Sequence, residues 1–190
     1  MELVDVPDSK SGARDGVRVR APPPAPNMNR QGTLPFFFLG SIMIWKPNVT
    51  VAAVIERDGK FLLVEEETAQ GLMFNQPAGH WEKNETLPQA TMREVLEESA
   101  YHFNPQHLIG IYRWNSDHND VTYLRFAFSG RVTEHEANRV LDDGITRTVW
   151  MAPDEIRASQ ARHRSPLLLC CVEDYLAGKR FPLDLLVHYE

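Results

Sequence analysis

The sequence has few cysteines, no apolar segment long enough to cross a bilayer and no excess of positive charge. Its two cysteines, Cys170 and Cys171, are adjacent in an apolar run, which argues against a disulfide framework and predicts core residues of a cytoplasmic protein. The apolar stretch from Leu34 to Trp45 covers 12 residues, too few for a membrane span. The net charge of −6 argues against nucleic-acid binding, since such proteins usually carry a basic face.

The remaining composition is typical of a globular enzyme, with 43 % hydrophobic and 24 % charged residues in a chain of 190, enough for one domain with a core. Residues 1–32 differ, because they contain five prolines and charges that nearly cancel. We therefore predict a disordered or non-native extension over residues 1–42 and one domain over residues 43–190. A native start at Met43 would explain the extension; a membrane-surface or partner-binding tail is the alternative.

Three carboxylates lie on one side of a predicted helix. Glu94, Glu97 and Glu98 occur at i, i+3 and i+4, so all three point the same way. Like charges on one arc repel one another, and a cation between them would stabilise the arrangement. Oxygen ligands favour Mg²⁺, with Mn²⁺ as a substitute. A solvated surface is the alternative interpretation of the same pattern.

The start of this helix has its own signals. Thr86 and Gln89 match a capping box, and Pro88 stands in the first turn, where its missing N–H costs little. The turn-rich stretch Asn75-Gln76-Pro77-Ala78-Gly79-His80 precedes the helix. The order is therefore short strand, glycine loop, capped helix and acidic face.

These residues resemble the nudix box, which the family writes as Gly-x5-Glu-x7-Arg-Glu-U-x-Glu-Glu-x-Gly-U, where U is bulky and apolar. The chain has Gly79, Glu85 and Arg93-Glu94-Val95-x-Glu97-Glu98-x-x-Tyr101 at this spacing, with Ala100 in place of the second glycine. We expect a slightly shifted helix end at Ala100. Flanking segments between about residues 43 and 187 resemble one phosphatase subgroup of the family.

The resemblance implies an α+β fold, an α/β/α sandwich around a mixed, largely antiparallel sheet with the nudix loop-helix-loop. It also implies roles for the box residues. Glu97 and Glu98 are expected to bind metal, and Glu94 is expected to be a ligand or the general base. The Gly79 carbonyl would face the metal, although a tight turn also explains this glycine. His80 and Trp81 are expected to be loop and packing residues.

Two charged residues of the box have other interpretations. Arg93 is expected to bridge carboxylates and fix their orientation, which is a supporting role. Glu85 either binds metal or favours the positive end of the helix.

Outside the box, Arg125 on a predicted strand is a candidate contact for substrate phosphate, because a buried arginine needs a partner. Trp114 or Tyr112 is a candidate for stacking on a base, although strand aromatics are more often core residues. The base could come from a predicted loop that contains the carboxylates Glu134, Glu136, Asp142 and Asp143.

The rest of the domain alternates strands with helices. A hairpin turn over residues 57–60 joins predicted strands 49–55 and 61–64. Further strands are predicted over 108–114, 121–128 and 148–151, with a polar loop over 115–120. One helix is predicted to begin at Pro153. Another has Ser165 as N-cap and Pro166 as first residue, and is predicted to run to Ala177.

We therefore predict a monomeric nudix phosphohydrolase that acts on a small phosphorylated substrate. The resemblance implies metal-dependent release of inorganic phosphate from nucleoside tri- and diphosphates and from the pyrophosphate of the thiamine pyrimidine precursor. Two alternatives stay open: a catalytically weak nudix domain that senses a nucleotide or metabolite, and a structural partner whose acidic helix is a plain surface.

Overall fold

The computed structural model describes residues 45–116 and 120–189. The predictions for residues 1–42, and for the middle of the loop over 115–120, lie outside the described residues. Among the described residues, no helix is long and apolar enough to cross a membrane.

Seven strands form one mixed sheet in the order β3-β2-β1-β6-β5, with β4 paired to β1 and β7 paired to β2. Only the pairing of β1 with β6 is parallel among the described strands; the others are antiparallel. The strand bounds are β1 Asn48–Arg57, β2 Lys60–Thr68, β3 Gly71–Asn75, β4 Ala78–His80, β5 Tyr101–Asn115, β6 Thr122–His135 and β7 Ile145–Met151.

Helices cover both faces of the sheet. Helix α1, Leu87–Ser99, contributes Leu87, Ala90 and Val95 to a core cluster on one face. The other cluster contains residues from α2, Pro153–Ala158, and α3, Leu167–Leu176. Alternate residues of β1 enter the two clusters, as the period of a strand requires. The predicted α+β sandwich is therefore confirmed.

The predicted hairpin joins β1 to β2, with Arg57 paired to Lys60. Its central residues, Asp58 and Gly59, have φ of 53° and 76°, the positive values that a tight two-residue hairpin needs.

Helix α1 begins with the predicted capping box. The Gln89 N–H donates to Thr86 Oγ1 at 3.3 Å, and the Thr86 N–H donates to Gln89 Oε1 at 2.8 Å. Ala100 ends the helix with φ 58° and ψ 16°, and its N–H donates to the Leu96 carbonyl. The expected shift of the helix end is therefore wrong, because alanine itself adopts the left-handed conformation that favours glycine.

Several predicted boundaries are also wrong. β5 and β6 extend well beyond the predicted strands, since β5 contains register shifts that interrupt the alternating pattern near Pro105 and Gly110. Residues 78–80, predicted as loop, form β4 and pair with β1. Helix α3 begins at Leu167 with Pro166 as N-cap, and no side chain caps it. Cys171 is buried as predicted, but Cys170 is exposed.

Candidate active site

The three predicted carboxylates lie along the second half of α1, beside the short strand β4. Glu94 is 6 % exposed, whereas Glu97 and Glu98 are partly buried. The alternative of a plain solvated face is therefore wrong for Glu94. The antiparallel pairing of β4 with β1 brings the backbone of residues 78–80 next to these side chains.

Arg93 binds three carboxylates at once. Its Nη1 donates to Glu94 Oε1 at 2.7 Å and to Glu97 Oε2 at 3.1 Å. Its Nη2 and Nε donate to the two oxygens of Glu85 at 2.8 and 3.1 Å, the bidentate geometry in which arginine binds carboxylates best. Nη2 also donates to the His80 carbonyl at 3.0 Å. Arg93 therefore bridges neighbouring carboxylates in the way the sequence predicts.

Both carboxylate oxygens and the backbone carbonyl of Glu85 accept hydrogen bonds from other residues. Besides the two bonds from Arg93, its Oε1 accepts the Glu82 N–H at 2.8 Å, and its carbonyl accepts the Trp81 indole N–H at 2.8 Å. The bonds from Arg93 hold the pKa of Glu85 below its ordinary value. These contacts favour a supporting role for Glu85 in the loop before α1.

Gly79 lies so close to Glu94 that no side chain fits between them. A Cβ atom built on Gly79 would overlap the carboxyl group of Glu94. Gly79 lies within β4 and is absent from the residues with positive φ. The tight turn proposed as one reason for this glycine is therefore wrong, and close approach to a carboxylate explains it instead.

Glu98 is held from the other side of β4, where its Oε2 accepts the Ala78 N–H at 2.9 Å. Burial raises the pKa of Glu98 to about 9, and the charges of Glu94, Glu66 and Asp142 act in the same direction. Burial also raises the pKa of Glu94, although Arg93 opposes this effect. The carboxylates around α1 thus outnumber the one positive charge of Arg93 that pairs with them.

Within residues 45–116 and 120–189, no three His, Cys, Asp or Glu side chains form a ready metal-binding group. The donor set nevertheless fits a hard divalent cation, because burial raises the pKa of Glu94 and Glu98 and the charges of neighbouring carboxylates add to this rise. A cation between them would remove this repulsion.

Of the four carboxylates predicted in a loop, Asp142 has a charge that acts on the helix carboxylates. The Asp142 N–H donates to the Glu97 carbonyl at 3.1 Å, and the Asp142 charge raises the pKa of both Glu94 and Glu98. Glu136 instead pairs with His102 and Arg139. Glu134 lies on β6 and not in a loop, which corrects the prediction for this residue.

A cavity of about 290 Å³ opens beside β4, and Ala78, Gly79 and His80 form part of its wall. Among the described residues, six buried side-chain polar atoms have no hydrogen-bond partner, and five of them belong to residues that line this cavity. They are Thr50 Oγ1, Glu66 Oε1, Asn75 Oδ1, Arg125 Nε and Ser165 Oγ. Because unpaired buried polar groups are costly, their concentration at one cavity indicates a binding site for a polar molecule.

Arg125 is the charged residue of this group that is most deeply buried, with 8 % of its surface exposed. Its Nη1 donates a long hydrogen bond, of 3.5 Å, to Gln76 Oε1. The Gln76 Nε2 donates to the Leu168 carbonyl at 2.8 Å, which fixes the orientation of the amide. Burial lowers the pKa of Arg125, while the charges of Glu98 and Glu66 raise it. Arg125 therefore lines the cavity, and its contact with a substrate phosphate stays a prediction.

Of the two aromatic candidates, Trp114 and Tyr112, only Trp114 lines this cavity. Trp114 lines the cavity and stacks on Tyr123 across the β5–β6 pair, with ring centroids 5.5 Å apart and an angle of 20°. Tyr112 does not line this cavity; its hydroxyl donates to Asp174 Oδ2 at 2.8 Å. Trp114 is thus the better placed of the two to contact a ligand ring.

Sequence reasoning missed four polar residues of the cavity: Thr50, Glu66, Asn75 and Ser165. The prediction for Ser165 was wrong, because the Ser-Pro pattern predicts a helix cap. In the structure, its hydroxyl group caps no helix and has no hydrogen-bond partner, and the residue lines the cavity. The available signal was the similarity of the segments around Thr50, Asn75 and Ser165 to the phosphatase subgroup.

The fold and the arginine-bridged carboxylate helix together define the class of this protein. A family model described as NUDIX domain matches residues 45–169, and the chain belongs to the nudix family. The prediction of a nudix phosphohydrolase is confirmed.

Among its relatives, phosphatase NudJ of Escherichia coli strain K12 is 36 % identical over 143 residues, which cover 75 % of this chain and 92 % of the relative. A solved NUDIX hydrolase from Nitrosomonas europaea is 56 % identical, with a TM-score of 0.74, and the match covers 76 % of this chain and 98 % of that one. A MutT NUDIX hydrolase from Burkholderia pseudomallei, at 20 % identity and a TM-score of 0.59, shares the fold and covers 68 % of this chain and 98 % of its own.

The contact between Gly79 and Glu94 predicts the effect of an added methyl group. Gly79→Ala should destabilise the protein by about 1–3 kcal/mol, the usual cost of overpacking, because the carboxyl group of Glu94 must move. Urea unfolding of Gly79→Ala, Glu94→Ala and the double variant measures the coupling. If the contact is the cause, the double variant will be more stable than the sum of the two single effects; simple additivity would contradict it.

The raised pKa of Glu98 predicts how stability depends on pH without added metal. The folded protein keeps this proton up to about pH 9, whereas the unfolded carboxyl loses it near its ordinary pKa of 4.5. The unfolded state therefore binds fewer protons between these values, and stability falls as pH rises.

Glu98→Gln removes this dependence. In the presence of a chelator, we expect the variant to gain about 2 kcal/mol relative to the original chain between pH 5 and pH 8, measured by urea unfolding at both pH values. Glu134→Gln, at an exposed position on β6, is the control and should gain nothing. A difference that does not change with pH would show that Glu98 is already ionised at pH 5.

Proposed function

We propose that the protein hydrolyses a phosphoanhydride bond in nucleoside tri- or diphosphates, or in a related pyrophosphate such as that of the thiamine pyrimidine precursor, and releases inorganic phosphate. The observation that carries the proposal is the position of the cavity, whose wall includes the β4 residues Ala78 and Gly79 that contact Glu98 and Glu94 of α1. The name of the relative, phosphatase NudJ, agrees with phosphate release. We also propose a cytoplasmic location, consistent with two free cysteines.

Glu97, Glu98, Glu94 and the Gly79 carbonyl would hold a divalent cation, Mg²⁺ or Mn²⁺. When bound, the cation neutralises phosphate charge and lowers the pKa of a coordinated water. Arg93 fixes Glu94 and Glu97 before substrate arrives, so that little reorganisation is needed during the reaction.

The cavity would hold the organic part of the substrate, with its phosphates toward α1. Arg125 and the hydroxyl groups of Thr50 and Ser165, which have atoms without a hydrogen-bond partner in the protein, would form hydrogen bonds with the substrate. The flat surface of Trp114 would contact a ring. Holding both ends of the substrate aligns the scissile bond with the attacking water, which is the main source of acceleration in phosphoryl transfer.

The direct test is a phosphate-release assay over a panel of nucleotides with and without Mg²⁺. Turnover should require the cation, and Glu97→Gln and Glu98→Gln should each lower kcat/KM by at least about a hundredfold, since even outer-shell changes cost about 10–100-fold in metal affinity or activity. Glu134→Gln is the matched control and should keep full activity.

The other results of this assay separate the alternatives. Nucleotide binding without turnover would support the sensor, and binding of neither nucleotide nor metal would leave the structural role. The one hint in the motif for a silent domain, Ala100, has weakened, because this alanine adopts the left-handed conformation expected of glycine.

We assign to Asp142 the role of the general base, which takes the proton from the attacking water. Glu94 is the alternative base, but Arg93 binds its Oε1 and Gly79 packs against its carboxyl group. Asp142 is exposed, and its charge acts on both Glu94 and Glu98.

Asp142→Asn should therefore lower kcat by about 10²–10⁴-fold, the range for loss of a general base, while KM stays within a small factor. The adjacent Asp143→Asn is the matched control. Steady-state kinetics of the two variants beside the original chain check the assignment. Unchanged kcat in Asp142→Asn would return the role to Glu94.

A further inference from the structure

The unpartnered atoms of the cavity differ in the hydrogen bonds they can make. Glu66 Oε1 and Asn75 Oδ1 accept, Arg125 Nε donates, and the hydroxyl groups of Thr50 and Ser165 can do either. A ligand that satisfies them must offer N–H or O–H groups to the two acceptors and a lone pair to Arg125. A purely anionic ligand cannot satisfy Glu66.

Of the two acceptors, Glu66 has the stronger preference for an N–H or O–H donor, because it is a carboxylate. It lies on β2 with 20 % of its side chain exposed, and the nearest cation, Arg164, has its Nε 3.3 Å from Oε1 without making a hydrogen bond. Burial raises the pKa of Glu66, and the charges of Arg164 and Arg125 oppose this rise. The charge of Arg164 therefore favours the ionised form of the carboxyl group at the wall of the cavity.

A carboxylate at this place distinguishes two kinds of ring substituent. An exocyclic amino group would donate to Glu66 in a charge-assisted hydrogen bond. A carbonyl oxygen at the same position would place one acceptor against another and leave the carboxylate unsatisfied. The stacked pair of Trp114 and Tyr123 provides the flat surface that a ring needs.

We propose that Glu66 selects substrates whose organic group is a nitrogen heterocycle with an exocyclic amino group over those with a carbonyl in its place. The inference rests on the proposed function, in that the cavity holds the organic part of the substrate. Glu66 is thus a specificity-determining residue for the hydrolysis reaction.

Two substrate pairs test this inference, since CTP and UTP, like ATP and ITP, differ by one exchange of amino for carbonyl. At pH 8 with Mg²⁺, kcat/KM should favour the amino member of each pair by about tenfold, the effect of one hydrogen bond to a charged group. Glu66→Gln, whose amide can donate or accept, should reduce the preference to within about twofold in both pairs.

Glu67→Gln is the matched control. Its side chain is exposed and points to the opposite face of β2, so the preference should remain as in the original chain. Thermal unfolding of both variants shows that each is folded during the assay. Equal kcat/KM within the pairs for the original chain, or a preference that survives Glu66→Gln, would overturn the inference while the proposed function stands.

Absence of turnover on all four nucleotides would instead refute the nucleotide part of the proposed function. The selection is then decided by calorimetric titration of CMP against UMP and of AMP against IMP. Tighter binding of the amino member that is lost in Glu66→Gln supports the inference, and equal binding overturns it.

Discussion

The guanidinium group of Arg93 joins three separate parts of the chain at the carboxylate helix. It binds Glu94 and Glu97 within α1, Glu85 in the preceding loop and the carbonyl of His80 at the end of β4. Without a cation at this place, the carboxylates would repel one another in a partly buried environment where charge interactions are strong. The loop, the strand and the helix therefore depend on one side chain for their relative positions.

The same arrangement requires Gly79. Arg93 draws Glu94 toward β4, and the carboxyl group then occupies the space in which a Cβ of residue 79 would lie. The spacing between Gly79 and Glu94 in the nudix box thus has a physical basis, because β4 must present a glycine where Glu94 packs against it. This also explains why the glycine is needed even though its backbone does not require positive φ.

The parts that could be predicted from the sequence are those made by neighbouring residues. The cap at Thr86, the shared face of Glu94, Glu97 and Glu98, and the bridging role of Arg93 all follow from spacing within one segment. The family pattern supplied the fold and the expectation of a divalent metal, which local spacing cannot fix.

The cavity could not be predicted in the same way, because its unpartnered polar atoms come from β1, β2, β3, β6 and the segment before α3. Only the tertiary fold brings Thr50, Glu66 and Ser165 together. In the sequence, Glu66 is one of three consecutive glutamates that follow the predicted strand 61–64, and Ser165 has the pattern of a helix cap. Each has an ordinary local interpretation that tertiary contacts override.

The cavity and the carboxylate helix are also coupled by charge. Burial raises the pKa of Glu98, and the charges of Glu66 and Glu94 add to this rise; an ionised Glu98 in turn raises the pKa of the buried Arg125. When Glu98 and Glu66 are ionised, they partly compensate the charge of Arg125, which then attracts a phosphate less strongly than an isolated buried arginine would. Because α1 is negative, an anionic substrate approaches it only when a cation has reversed the local field. In the proposed reaction, the cation would thus determine which end of the substrate lies at α1, and Arg125 and Glu66 would be left to bind the other end.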